Sequence, residues 1–160
     1  DALHRTLAES RLGATSMPLS ATPAIATTPS KLIQVAVVGA HLTGQPLNSQ
    51  VVERNARLVR TTRTAPGYSF YALANTTPAK PGLVCDGKGA GNIEVEVWEM
   101  DDAAFGSFVA LIPAPLGIGT VKLSDGSSVK GFVCESHAIS DAENITHTGG
   151  WRAWLAAKRA

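Results

Sequence analysis

One histidine ends the longest small-residue apolar run of the chain. In "VAVVGAHLTGQPLN", Val35 to Asn48, the run reads as a buried strand until His41, which is set between Gly39 and Gly44. An imidazole has its unperturbed pKa near 6.5, so at this position it can give or take a proton at neutral pH. Glycines so close together let the backbone turn sharply and bring amide N–H groups toward a ligand, which builds an anion-binding concavity without side-chain charge. The competing reading is a histidine that only bonds a neighbouring carbonyl at a strand end. The remaining histidines carry less: His4 lies in the first segment, and His137 and His147 sit in polar stretches near the C-terminus.

Other groups are weaker. Glu94, Glu96 and Glu99 resemble a carboxylate cluster, but strand alternation explains Glu94 and Glu96 as one solvent-facing row. Arg57, Arg60 and Arg63 recur every third residue and read as a solvated face, with Arg63 at the head of "RTAPGYSFYAL". The uncharged stretch "PAPLGIGT", Pro113 to Thr120 and including Leu116 and Gly117, suits a rigid apolar pocket wall, although an ordinary tight connection reads the same. There is no GxSxG elbow, P-loop, GxGxxG or HExxH, which removes the motif-marked hydrolases and nucleotide enzymes. Histidines and cysteines lack metal-ligand spacing, so no metal and no organic cofactor is expected. Cys85 and Cys134 sit in strand-like text and read as buried thiols of a reducing cytoplasm.

These residues need elements to hold them. "LIQVAVVGA" reads as a strand and "NSQVVERNARLV" as a short helix running into another. "GYSFYALA" alternates as a half-buried strand does, and "NTTPAKPG" is a turn by composition. "NIEVEVWEM" alternates strictly, with Ile93, Val95 and Val97 to one face and Glu94, Glu96 and Trp98 to the other. Asp101 or Asp102 can cap a helix whose Phe105, Phe108, Val109 and Ile112 share a face. "SDGS" lies between two alternating runs and signals a hairpin. The closing "TGGWRAWLAAKRA" reads as a helix with Trp151, Trp154 and Leu155 on one side and basic residues in its last turns. Strands dominate, giving an α+β domain with a mixed or mainly antiparallel sheet, barrel-like in outline.

The bulk properties agree. The chain has 160 residues, 44% of them hydrophobic, with a formal net charge of +1. That suffices for one core, and no run of one sign points to nucleic acid or an anionic membrane surface. The apolar runs are shorter than the roughly 20 residues of a spanning helix. The first thirty residues differ in character. "LHRTLAESRLGA" holds an imperfect helical stripe, and "TSMPLSATPAIATTPS" has the Pro, Ser and Thr content of an extended linker. Residues 1–30 are therefore expected to be the tail of a preceding module and a linker, and residues 31–160 the domain itself.

Taken together, "VAVVGAHLTGQPLN", "RTAPGYSFYAL", "EVEVWEM", "FGSFVALIPAPLGIGTVKLSDGSSVKGFVCE" and "GGWRAWLA" resemble the C-terminal domain of allophanate hydrolase, over nearly all of residues 32–156. That resemblance implies a small mixed β-barrel with flanking helices, of the γ-glutamylcyclotransferase-like fold. In that wider fold family a strand ends in a loop whose backbone amides hold the substrate, and the matching text here is "VGAHL", Val38 to Leu42. The wider family's acid/base glutamate falls in a segment that here reads "FVALIPAPLG", without a carboxylate.

The resemblance further implies a cytoplasmic enzyme of urea degradation, carried behind an amidase domain and expected to form a homodimer. Its substrate would be the small dianion N-carboxycarbamate, decarboxylated to carbamate and carbon dioxide without a cofactor. His41 would be the catalytic acid. Gly39, Ala40 and Leu42 through their amides, with Asn48, Arg63, Leu116 and Gly117, would bind substrate. Two other readings stand beside it: a non-catalytic dimerisation module using the Trp151, Trp154 and Leu155 face, and a cyclotransferase-like enzyme with Glu96 or Glu135 as relocated acid.

Overall fold

A computed structural model describes residues 30–160, together with a short antiparallel strand pair, β1 (Arg11–Leu12) and β2 (Met17–Pro18). The helix and linker expected in residues 1–30 otherwise lie outside the described residues. From residue 30 on, the strands are β3 (Leu32–Val37), β4 (Arg57–Arg63), β5 (Tyr68–Ala72), β6 (Pro81–Cys85), β7 (Glu94–Asp101), β8 (Leu116–Lys122), β9 (Ser128–Cys134) and β10 (Glu143–Asn144). The helices are α1 (Ser49–Val52), α2 (Asp102–Val109) and α3 (Trp151–Arg159).

Strand β3 is the middle of a five-stranded sheet in the order β4-β7-β3-β9-β8. It runs antiparallel to β7, with Val35 opposite Trp98, and parallel to β9, with Ala36 opposite Gly131. A strand paired on both edges and covered on both faces is apolar throughout, as Val35, Ala36 and Val37 are, each fully buried. The hairpin β8–β9 turns through Asp125 and Gly126, as "SDGS" demanded. Asp101 caps α2, its carboxylate accepting from the Ala104 amide at 2.7 Å. A second, three-stranded sheet has the order β10-β5-β6.

Three expectations need correction. The sheet does not close into a barrel: its edge strands β4 and β8 meet through a single bridge, Thr64 to Leu123, rather than a continuous ladder. The Glu94–Glu96 row does not face solvent. Glu96 is only 3% exposed and Trp98 only 6%, because α3 and the loop after β3 cover that face of β7. Of the two thiols only Cys134 is buried; Cys85, at the end of β6, is exposed, and both are free. Trp151 and Trp154 stack on each other at 4.6 Å and are buried in the domain's own core, which uses the helix face that a dimerisation module would have offered. No helix among the described residues is long and apolar enough to cross a membrane.

Candidate active site

The loop that follows β3 lines a cleft of about 210 Å³. The cleft is lined by Val38, just past β3, and Phe132 of β9, with Gln50 of α1, Phe108 of α2 and Leu111, Ile112 and Pro113 from the segment after it. The turn between β5 and β6 completes it with Thr77, Pro78, Lys80 and Pro81. The lining is apolar apart from His41, Gln50, Thr77, Lys80 and backbone, and it contains no carboxylate.

Three neighbours hold the His41 ring. It stacks on Phe132 with centroids 5.0 Å apart and meets Phe108 edge-on at 5.1 Å. Its Nε2 lies 2.9 Å from Gln50 Oε1. With a carbonyl oxygen facing it, Nε2 carries the hydrogen, which leaves Nδ1 as the nitrogen that gains and loses a proton. Burial lowers the His41 pKa from its usual 6.5, the Gln50 contact offsets part of that, and the positive charge of Lys80 lowers it further. That lowering favours the neutral imidazole at pH 7.

The backbone around His41 is arranged by local bonds. Leu42 N–H donates to Gly39 O at 2.9 Å, Leu47 N–H to Ala40 O at 2.8 Å, and the Asn48 side chain to His41 O at 2.9 Å. Farther along, Thr43 donates both its N–H and its hydroxyl to Glu96. What remains are the amides of Gly39, Ala40 and His41, which donate to no group among the described residues. Such amides beside a cleft bind anions without competing internal bonds.

The structure divides the sequence-predicted site residues. His41, Gly39, Ala40 and Leu116 line the cleft. Leu42 is fully buried and its amide is used in the turn, while Asn48 braces the His41 carbonyl from behind. Gly117 lies outside the lining. Arg63 is not brought to the cleft: its Nη1 donates to the carbonyls of Asn92 at 2.8 Å and Gly149 at 3.2 Å. Neither glutamate of the cyclotransferase reading lines the cleft, since Glu96 is held by Arg152, Thr43 and Trp98 and Glu135 is exposed beside His137.

Sequence reasoning missed Gln50, Lys80, Phe108 and Phe132 as site residues. Phe108 reads only as part of the α2 helix face, and Phe132 and Gln50 carry no signal. Lys80 is the lone cation in the turn "NTTPAKPG", a clue only once the fold sets that turn beside Gly39. Among the described residues, no three His, Cys, Asp or Glu side chains are grouped as metal ligands.

Comparison with known proteins gives the site its context. The profile of the allophanate hydrolase C-terminal domain matches residues 33–156. Over 132 residues the chain is 43% identical to urea amidolyase of Saccharomyces cerevisiae, an alignment that takes in 79% of this chain and 7% of that protein. The solved allophanate hydrolase of Kluyveromyces lactis superposes with a TM-score of 0.76 at 38% identity, covering 80% of this chain and 22% of that one. The chain thus spans less than a quarter of the length of these relatives. A γ-glutamyl cyclotransferase, at 10% identity and a TM-score of 0.50, shares the fold alone.

Proposed function

Because the chain belongs to the allophanate hydrolase C-terminal domain family, we propose that its cleft decarboxylates N-carboxycarbamate, the product that an amidase domain of the same polypeptide would release from allophanate. The single observation that carries this reading is that His41, its Nε2 taken by Gln50, shares the lining of a cleft without carboxylates with Gly39 and Ala40, whose amides, like its own, donate to no group among the described residues.

The chemistry follows from the substrate. Its two carboxylates flank one N–H. Breaking one C–N bond expels carbon dioxide and leaves the bonding electron pair on nitrogen, so a proton must arrive there as the bond breaks. One proton in, with carbon dioxide and carbamate out, balances the step. The amides bind one carboxylate, which needs donors rather than a counter-charge alone. The bound anion also raises the His41 pKa against burial and Lys80, so the imidazole becomes protonated at Nδ1 when substrate is present. It then delivers that proton to the departing nitrogen and recovers another from water. A placed general acid of this kind contributes roughly 100- to 10,000-fold. The apolar walls from Phe108, Leu111 and Ile112 limit water and strengthen each of these contacts.

The same reading places the domain in the cytoplasm, behind its amidase partner, in a homodimer, with no metal or organic cofactor. The experiment is to supply freshly generated N-carboxycarbamate to the chain and follow carbon dioxide release against the spontaneous rate. Saturable acceleration is expected, and a rate equal to the spontaneous one at all protein concentrations would reject decarboxylation.

A further inference from the structure

Resting on that reading of the cleft, we propose that Lys80 takes the second carboxylate of the ligand and makes the cleft select dianions over monoanions of the same skeleton. Lys80 is the one lysine or arginine in the lining. Among the described residues its ammonium makes no salt bridge and no hydrogen bond, although the residue is half-buried. Its backbone is nonetheless fixed. The amide donates to Thr76 Oγ1 at 2.9 Å, and the carbonyl accepts from Leu73 N–H at 3.1 Å.

The next residue sets its position relative to the amides. Pro81 lies against Gly39 so tightly that a Cβ on Gly39 would fall 2.2 Å from Pro81 Cδ. The turn that carries Lys80 is therefore seated on the loop that carries the free N–H groups. An ammonium held partly out of water with no counter-ion gains from an anion placed against it. A ligand with one carboxylate is served by the amides, and a second carboxylate has Lys80 as the one lysine or arginine of the lining to meet it. Arg63, the other cation considered, is occupied by two carbonyls elsewhere.

The arrangement also couples charge to catalysis. The positive charge of Lys80 works against protonation of His41. A carboxylate against Lys80 cancels that effect as the substrate arrives, so only a dianion both fills the site and arms the acid.

The test uses malonate, which has CH₂ where the substrate has N–H, and malonamate, the same skeleton with one charge. Both are titrated calorimetrically into the 160-residue chain at pH 7 and fixed salt, with Lys80→Met and Lys80→Arg alongside and thermal melts to confirm folding. Wild type should bind malonate at least about tenfold more tightly than malonamate. Lys80→Met should lose about that factor for malonate and change little for malonamate, and Lys80→Arg should keep the preference. Lys80→Gln replaces Lys80→Met if the latter does not melt cooperatively. A neutral variant that keeps the wild-type preference overturns the role of Lys80 while leaving the cleft an anion site. A wild-type chain that binds neither compound overturns this inference and the anion site beneath it together.

Discussion

Gly39 and Pro81 touch where no side chain could stand between them: a Cβ built on Gly39 would lie 2.2 Å from Pro81 Cδ and 2.3 Å from Cγ. The contact joins the end of β3 to the start of β6, and so joins the amide loop to the turn that carries Lys80. A proline ring cannot swing aside as a flexible side chain would.

Gly39→Ala should therefore displace the loop. The expected result is a loss of about 2 kcal/mol in stability, in the range of an overpacked site, and a malonate affinity at least about tenfold weaker. Chemical denaturation and calorimetry on the same preparation check both. A variant with unchanged stability and affinity would show that the contact does not hold the loop.

His41→Asn keeps a hydrogen-bond donor of similar reach but cannot release a proton at neutral pH. Carbon dioxide release should slow by about 100-fold or more, the lower end of the general-acid range, with a cooperative melt retained. Full activity in His41→Asn would exclude proton donation and leave the imidazole as an orienting donor. His41→Ala should be no more active than His41→Asn.

The pH dependence of rate has a stated direction. Burial first, then the charge of Lys80, lowers the His41 pKa below 6.5, and Gln50 raises it part of the way back. In the free protein the acid form is therefore lost as pH rises through a value below 6.5, and kcat/KM should fall across that range. Gln50→Leu removes the raising influence and should shift this limb to still lower pH. The kcat limb, which reports the substrate complex, should lie higher than the kcat/KM limb. A Gln50→Leu profile shifted upward would contradict the assignment.

Stability should respond to the same group. Since the folded state binds the His41 proton more weakly than the unfolded chain does, stability from neutral His41 is complete above about pH 6.5. It declines as pH falls from there toward the lower folded value. Tm measured between pH 7 and pH 5 should drop more in wild type than in His41→Asn.

Glu96 and Arg152 tie helix α3 to β7 and to the loop at Thr43. Burial works against the Glu96 carboxylate more than any single partner favours it, but Arg152, the Thr43 N–H and hydroxyl and the Trp98 N–H together hold its pKa below the usual range. Its stabilising share is present above about pH 4.5 and lost as pH falls through the folded value. Glu96→Gln should cost about 2 kcal/mol at pH 7. That is less than for a wholly buried pair, because a third of the Arg152 side chain meets water. Urea denaturation at pH 7 and pH 4 measures the cost and its decline with acid.

The elements were legible in the sequence because their causes are local. The alternation of Ile93, Val95 and Val97, the Asp101 cap and the Asp125–Gly126 turn each depend on neighbours within a few residues. His41 was visible as a candidate for the same reason, standing between glycines at the end of an apolar run, and the family resemblance rested on contiguous motifs. The tertiary structure decided what depends on distant partners. Glu96 looked solvent-facing because nothing near it says that Arg152, fifty-six residues on, will cover it. Closure of the sheet depended on how β4 and β8 approach, and they meet at one bridge. Lys80 and Gln50 join His41 only because the β5–β6 turn and α1 fold over the same strand end. Arg63, singled out beside a recognisable motif, is taken by the carbonyls of Asn92 and Gly149. Periodicity fixes which face of an element is apolar; which charged side chain meets which cleft is set by long-range packing, and a single sequence carries no local record of it.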